Sequence, residues 1–367
     1  MDYTSAHPMS TDVSWLSNDD FNGSTIIPVM TANRSLANLI QDKMNTAQYF
    51  VCPTLFVLGI VGNILTILTV SQVQFQQMTS RFILLALAAS DSLLLLTNPF
   101  NQQFMPAILG LDVRTLSSEG CKLFFVMYRV GKMSSSWFIV LVDIERFVAI
   151  LFPLKVKRLI TKTTILIAIA IIYVLMFTIS GVWTISTGIV NGTCRADVVN
   201  TNTLSVHKSF LIVGATCYSI APMAILLTLT PLIVLNLYRS QRMRHNLQLQ
   251  NIARTAKDTY RVTVMLVGIV ITYIICVTPI TLLLILTFWT NEPIYGSTKI
   301  EYIIFSGVAS TFEQINHSSN FFVYVLCCRQ FRQGFLHMMR CTRKNVTGTG
   351  SSINVSYIEK GLEVYDN

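Results

Sequence analysis

Ionisable side chains stand inside long apolar runs of this chain, and that placement limits the chemistry they can do. Asp91, Lys132, Asp143, Glu145, Arg146, Glu313 and His317 lie within or at the ends of stretches otherwise rich in Leu, Ile, Val, Phe and Ala. A charge in hydrocarbon is expensive, so each such group needs a partner or a wet cavity. Lys132 and Glu313 can meet across a cavity as an ion pair. Alternatively, Lys132 snorkels to water and Glu313 is hydrated. Glu145 and Arg146 are adjacent at the end of a run, where charge first becomes tolerable. An intramembrane hydrolase needs paired aspartates or a Ser–His pair. Asp143 lies near the far end of its run, and His317 and Ser318, as helix neighbours, point apart. The pattern is that of buried ion pairing, and the expectation is that the chain is not an enzyme and carries no cofactor.

Helices must position these groups. Of the 367 residues, 52% are hydrophobic and 12% charged, about half the charged share of a soluble domain. Apolar runs occupy about 47–70, 82–106, 121–152, 163–187, 209–238, 262–289 and 299–327. Each is long enough to span a bilayer, where only helices satisfy their own backbone. The net charge of +9 does not form a nucleic-acid groove, because the basic residues fall in connecting segments. Lys155, Lys157, Arg158 and Lys162 follow the third run, Arg239 to Arg261 the fifth, and Arg329 to Lys344 the seventh. These segments share one side, which the positive-inside rule makes cytoplasmic. The N-terminus is then outside. The expected division is an extracellular segment 1–46, a membrane domain 47–327, an amphipathic surface helix 328–341 and a disordered cytoplasmic tail 342–367. Asn22, Asn33 and Asn191 head glycosylation sequons on the outer side. Cys341 is either a palmitoylation site or a free thiol.

Motifs recur on these runs in a fixed order. Cys121 opens the third run, and Glu145-Arg146-Phe147 closes it roughly seven helical turns later. Gly62-Asn63 lies in the first run, Leu87-Ala88-Ala89-Ser90-Asp91 in the second, Cys276-Val277-Thr278-Pro279 in the sixth, and Asn320-Phe321-Phe322-Val323-Tyr324 in the seventh. In order and position they resemble the motifs of rhodopsin-like (class A) G-protein-coupled receptors, over about residues 45–341. The last two look most like those of FMRFamide and myoinhibitory-type neuropeptide receptors. The chain departs from the family at Phe321 for proline, Val277 and Tyr173 for tryptophan, Thr230 for tyrosine, and His317 for a small polar residue.

The resemblance implies an all-α seven-helix bundle in the plasma membrane that passes agonist binding to a heterotrimeric G protein, with arrestin as a further partner. It implies a resting contact between Glu145 and Arg146, with Phe147, Pro279 and Tyr324 in the activation machinery. It also implies a sodium-binding cavity lined by Asp91, Ser135, Asn316 and Asn320. By residue type alone these groups and Asn63 could equally be hydrogen-bonding glue between helices. Cys121 and Cys194 are the cysteines placed on the oxidising side; they either form the family's disulfide or remain free thiols.

Position also restricts the ligand. Tyr128 stands where an amine receptor carries an aspartate, and no lysine within the seventh run could carry retinal, since Lys299 stands at its very start. Tyr128, Arg129 and Lys132, with Gln102, Gln103, Phe104, Glu313 and Gln314, offer aromatic, amide and charged contacts that suit a short amidated peptide. Arg129 faces ligand carbonyls or a carboxylate on this reading. A small-molecule or ligand-free class A receptor is the alternative. A transporter is disfavoured by the odd number of runs and the lack of an internal repeat.

Overall fold

The computed structural model describes residues 23–76, 78–99, 105, 110, 112–190, 192–195, 209, 212–246, 253–290 and 299–346. Seven long helices carry the apolar runs: α1 Gly23–Val70, α2 Ser80–Pro99, α3 Ser118–Leu151, α4 Lys162–Val182, α5 Ala221–Asn246, α6 Ala253–Thr290 and α7 Ile300–Cys327. An eighth, α8, covers Arg329–Val346. The run expected to start near residue 47 is helical from Gly23 onward. Hydropathy marks the lipid-crossing part of a helix, and a polar extension leaves no such trace.

The helix ends follow local chemistry. Ser117 caps α3 by accepting from the Gly120 amide at 2.9 Å, and Thr161 caps α4 through the Thr164 amide at 3.1 Å. Before α3, Asp112 caps a short turn and holds Arg114, with Nη2 2.6 Å from its carboxylate. Burial alone would raise the Asp112 pKa, but the hydrogen bonds and charge of Arg114 outweigh it and hold the carboxyl below its ordinary value.

Burial is inverted relative to a protein solvated by water. Val57, Val61 and Leu68 on α1 and Ile167, Ile171 and Val174 on α4 are exposed, whereas Asn63, Asp91, Ser135, Asp143 and Glu313 are buried. Apolar side chains outside and polar groups inside are what lipid solvation selects. By length and composition α1, α2, α4, α5 and α6 each contain a stretch able to cross a membrane. Outside that set lie α3 and α7, which carry Arg129, Lys132, Glu145 and Glu313. α3 is the central element, packed against α2, α4, α5 and α6, while α7 packs on α1, α2 and α6.

α2 and α3 approach closely at Gly131. A Cβ there would lie 3.0 Å from both the Leu94 nitrogen and the Ser90 carbonyl oxygen, which are backbone atoms and cannot swing aside. Gly131→Leu is expected to cost about 1–3 kcal/mol by overpacking. An unchanged unfolding temperature in detergent would contradict the contact.

Prolines distort the helices in particular forms. α2 ends at Pro99. Ahead of Pro222 the helix widens into a π turn over Thr216–Ile220. Proline has no N–H to give the carbonyl four residues back, here that of Tyr218. The Tyr273 hydroxyl of α6 donates to that carbonyl at 3.0 Å, and the Trp137 indole of α3 donates to the Cys217 carbonyl at 2.9 Å. The distorted turn thus tethers α5 to both neighbours. Pro231 and Pro279 lie inside α5 and α6.

Beyond α4 a hairpin forms from β1 Gly188–Val190 and β2 Thr193–Arg195, antiparallel, with Ile189 opposite Cys194. Gly192 adopts φ 72°, which glycine enters without a Cβ penalty. At the other end, α8 is clamped by aromatic rings. Phe321, which replaces the proline expected from the resemblance, lies 6.0 Å from Phe331 and 5.4 Å from Phe335, and Tyr324 lies 5.3 Å from Phe331. Phe331 is buried and Phe335, one turn on, partly so, while Leu336 is exposed. The side chain of Cys341 lies outside the described residues.

Candidate functional site

At one end of the bundle, Cys121 of α3 and Cys194 of the hairpin are joined by a disulfide with Cα atoms 5.7 Å apart. This resolves the two readings of these cysteines. The bond fixes the hairpin to the top of α3.

About two turns along α3 from that bond begins a charged chamber. Lys132 Nζ lies 2.6 Å from Glu313 Oε1, so the pair forms between α3 and α7. The Lys132 ammonium also sits over the Tyr218 ring, 4.1 Å from its centroid, and 3.5 Å from the Tyr128 hydroxyl. The Tyr218 hydroxyl approaches the Glu313 carboxylate without completing a hydrogen bond. Arg129 is 8% exposed and stacks on Trp183 at 4.3 Å and Phe125 at 5.3 Å. Its Nη1 is buried without a hydrogen-bond partner, and no described carboxylate pairs with it. Gln314 does not join this chamber. One residue past Glu313, it is rotated toward α1, where its side chain meets Cys52. Gln102, Gln103 and Phe104 lie outside the described residues, as do Asn22 and Asn191; of Asn33 only the helical backbone is described. Trp183, Tyr218 and Phe125 were not singled out in the sequence. Aromatic residues in apolar runs carry no signal until packing selects their direction.

Deeper in the bundle Asp91 is fully buried and gathers three side chains. Ser135 Oγ donates to Oδ1 at 2.6 Å, His317 Nδ1 reaches the same oxygen at 2.7 Å, and Asn320 Nδ2 donates to Oδ2 at 2.7 Å. Asn63 and Asn316 are buried too, but make no hydrogen bond to Asp91, and each leaves its amide nitrogen without a partner. Beside this group, Ser90 bonds Ser134 at 2.8 Å and Tyr173 at 2.9 Å. Tyr173, a departure from the family's tryptophan, thereby ties α4 to α2 and α3. Ser135, His317 and Asp91 do not make a hydrolytic triad. Nδ1 faces both other groups, so the imidazole cannot take a proton from the serine at one nitrogen while being held at the other. Nor do the described residues contain a His, Cys, Asp and Glu cluster suited to a metal ion. The donor set around Asp91 does not fit a sodium ion either, because the imidazole of His317 fills the space against Oδ1 and has no oxygen lone pair to offer.

At the far end of α3, Arg146 Nη2 binds Glu145 Oε1 at 3.0 Å and also the Ser80 hydroxyl. Thr79 donates to the same Glu145 oxygen at 2.8 Å. Arg146 is thus held against the start of α2. Phe147 is partly buried and Tyr324 almost fully so. One turn back along α3, Asp143 accepts from Thr230 of α5 at 3.2 Å. Thr230 is another departure from the family pattern.

Comparison with known proteins adds to this geometry. The family model described as "7 transmembrane receptor (rhodopsin family)" matches residues 62–328. The chain is similar to growth hormone secretagogue receptor type 1 of Sus scrofa, 30% identical over 247 residues, covering 62% of this chain and 63% of that receptor. It is similar to the Homo sapiens receptor of that name, 33% identical over 134 residues, covering 35% of each chain. C-C chemokine receptor type 8 of Mus musculus is 35% identical over 106 residues, covering 28% of this chain and 29% of that receptor. The chain therefore spans less than two thirds of the length of these relatives.

Proposed function

Because the chain belongs to the rhodopsin family of seven-transmembrane receptors, a multi-pass and non-enzymatic class, we propose that it is a plasma-membrane receptor for a short peptide. On this reading it transmits agonist binding to a heterotrimeric G protein, with arrestin as a second intracellular partner. The N-terminus is extracellular and glycosylated at Asn22 and Asn33, with a third glycan at Asn191, and the basic segments and α8 face the cytoplasm and its anionic lipid.

The observation that carries this reading is the pair of sites at opposite ends of α3. Arg129 and Lys132 face an aromatic, charged chamber near the disulfide, and Arg146 is held by Glu145 and Ser80 at the other end. The held Arg146 is the resting packing. An agonist shifts the balance by binding the alternative packing more tightly. The inner end of α6, levered at Pro279, then moves and opens a cleft beside Arg146.

Two features favour a peptide. Relatives of this chain are named as receptors for growth hormone secretagogues and for C-C chemokines. The orphan Nη1 of Arg129 and the rings of Trp183 and Tyr128 suit backbone carbonyls and aromatic side chains. An amidated peptide end, as in the FMRFamide type, brings amide groups of that kind without a further charge.

The test is a calcium or cAMP response in cells expressing this chain, challenged with amidated neuropeptides beside the Arg146→Ala variant. The expected result is a dose-dependent response that Arg146→Ala lowers at least about tenfold at equal surface density, a loss of roughly 1.4 kcal/mol. Silence toward peptides with a response to a small molecule would replace the ligand class. A response undiminished in Arg146→Ala would remove the coupling role.

A further inference from the structure

Asp91 is a buried carboxylate deep in the membrane domain, and such a group must be compensated. A hard cation would do so by coordinating the carboxylate together with neighbouring oxygen lone pairs. What converges on Asp91 is of the opposite kind. A carboxylate only accepts hydrogen bonds, so Ser135, His317 and Asn320 each point a hydrogen toward it, at 2.6, 2.7 and 2.7 Å. Asn63 of α1 and Asn316 and His317 of α7 also leave buried nitrogens, Nδ2, Nδ2 and Nε2, without a partner. Serine can rotate its hydroxyl, and an asparagine can turn its amide to present oxygen. Histidine has no oxygen to present. Its ring is fully buried and fills the space against Oδ1, within 3.5 Å of Ser135 Oγ. A cation entering between Oδ1 and Ser135 would meet the imidazole N–H.

We propose that the imidazole of His317 permanently takes the place of a cation beside Asp91, so that this receptor binds no sodium there and α2 is tied to α7 directly. The link between the helices is then a hydrogen bond between two groups of the chain itself, and it needs no dissolved ion. This proposal goes beyond the receptor reading, and its test needs neither agonist nor G protein.

The experiment compares thermal unfolding of the purified full chain in detergent, in sodium chloride and in choline chloride at equal concentration. A ligand that binds only the folded state raises the unfolding temperature according to its occupancy. The wild-type chain is expected to unfold within about 1 °C in the two salts. His317→Ser, which opens the space and supplies a hydroxyl, is expected to be stabilised by sodium over choline by roughly 2–4 °C. That gain should vanish when Asp91→Asn is added. Should His317→Ser not fold, His317→Asn keeps a donor for Asp91 and adds a side-chain oxygen, and the same sodium-specific gain is expected. A sodium-specific rise in the wild-type chain overturns the proposal. So does the lack of any gain in folded His317→Ser or His317→Asn, because His317 would then not be what keeps sodium out.

Discussion

Charge reversal at either member of the Lys132–Glu313 pair is expected to abolish agonist-evoked signalling, and the double exchange Lys132→Glu with Glu313→Lys to restore part of it. The ion pair is 2.6 Å long, and its side chains are 16% and 5% exposed. In such surroundings removing one partner leaves an uncompensated charge and costs about 3–5 kcal/mol. That is a large part of the roughly 5–15 kcal/mol that keeps an ordinary domain folded. Reversal is worse than removal, since two like charges then face each other. Rescue should be partial for a geometric reason. The ammonium of Lys132 lies over the face of Tyr218, 4.1 Å from the ring centroid, and the negative face of an aromatic ring attracts a cation. A carboxylate at position 132 would be repelled by the same ring. The measurement is the agonist response normalised to surface density by antibody labelling. A double exchange no better than either single reversal would mean that the two charges act separately.

The second large effect is expected from Cys121→Ser and Cys194→Ser. The bridge closes a loop of sequence separation 73, and restraining a loop of that size in the unfolded chain is worth about 4 kcal/mol. Each single variant should reach the cell surface at a small fraction of wild-type density and lose its agonist response. The double variant should be no worse than either single one, because one bond is lost in every case. Additive losses would show that the two thiols matter individually. The functional consequence is local as well. The bond positions β1 and β2 at the top of α3, and the same segment continues from Trp183, on which Arg129 stacks.

How much of this could be read from the sequence differs from one element to the next. Lipid forces backbone groups to pair within each segment, so the apolar runs had to become helices and their count followed directly. The π turn before Pro222 is accounted for by the missing proline N–H, but only the structure shows it. The polar extension of α1 back to Gly23 left no mark, because hydropathy is blind to a helix outside hydrocarbon. Single positions were harder. Glu313 turns toward Lys132, while Gln314, its neighbour, turns toward Cys52. Both were expected in one chamber, yet adjacent helix residues point about 100° apart. A helix with apolar residues on most sides gives little indication of which way each polar residue turns.

The sequence by itself determined the class of molecule: seven membrane helices, two cysteines at one end, and the charged neighbours Glu145 and Arg146 at the other. These follow from residue type and spacing, because a charge or cysteine at a given membrane depth has few permitted states. Tertiary structure alone decided which groups meet. It brought His317 onto Asp91, Tyr173 onto Ser90, and Phe321 against α8. Each contact depends on the rotation of one helix about its axis relative to another. That rotation is set by the summed packing of the whole bundle, through close approaches such as Gly131 against α2, and no local stretch of sequence encodes it.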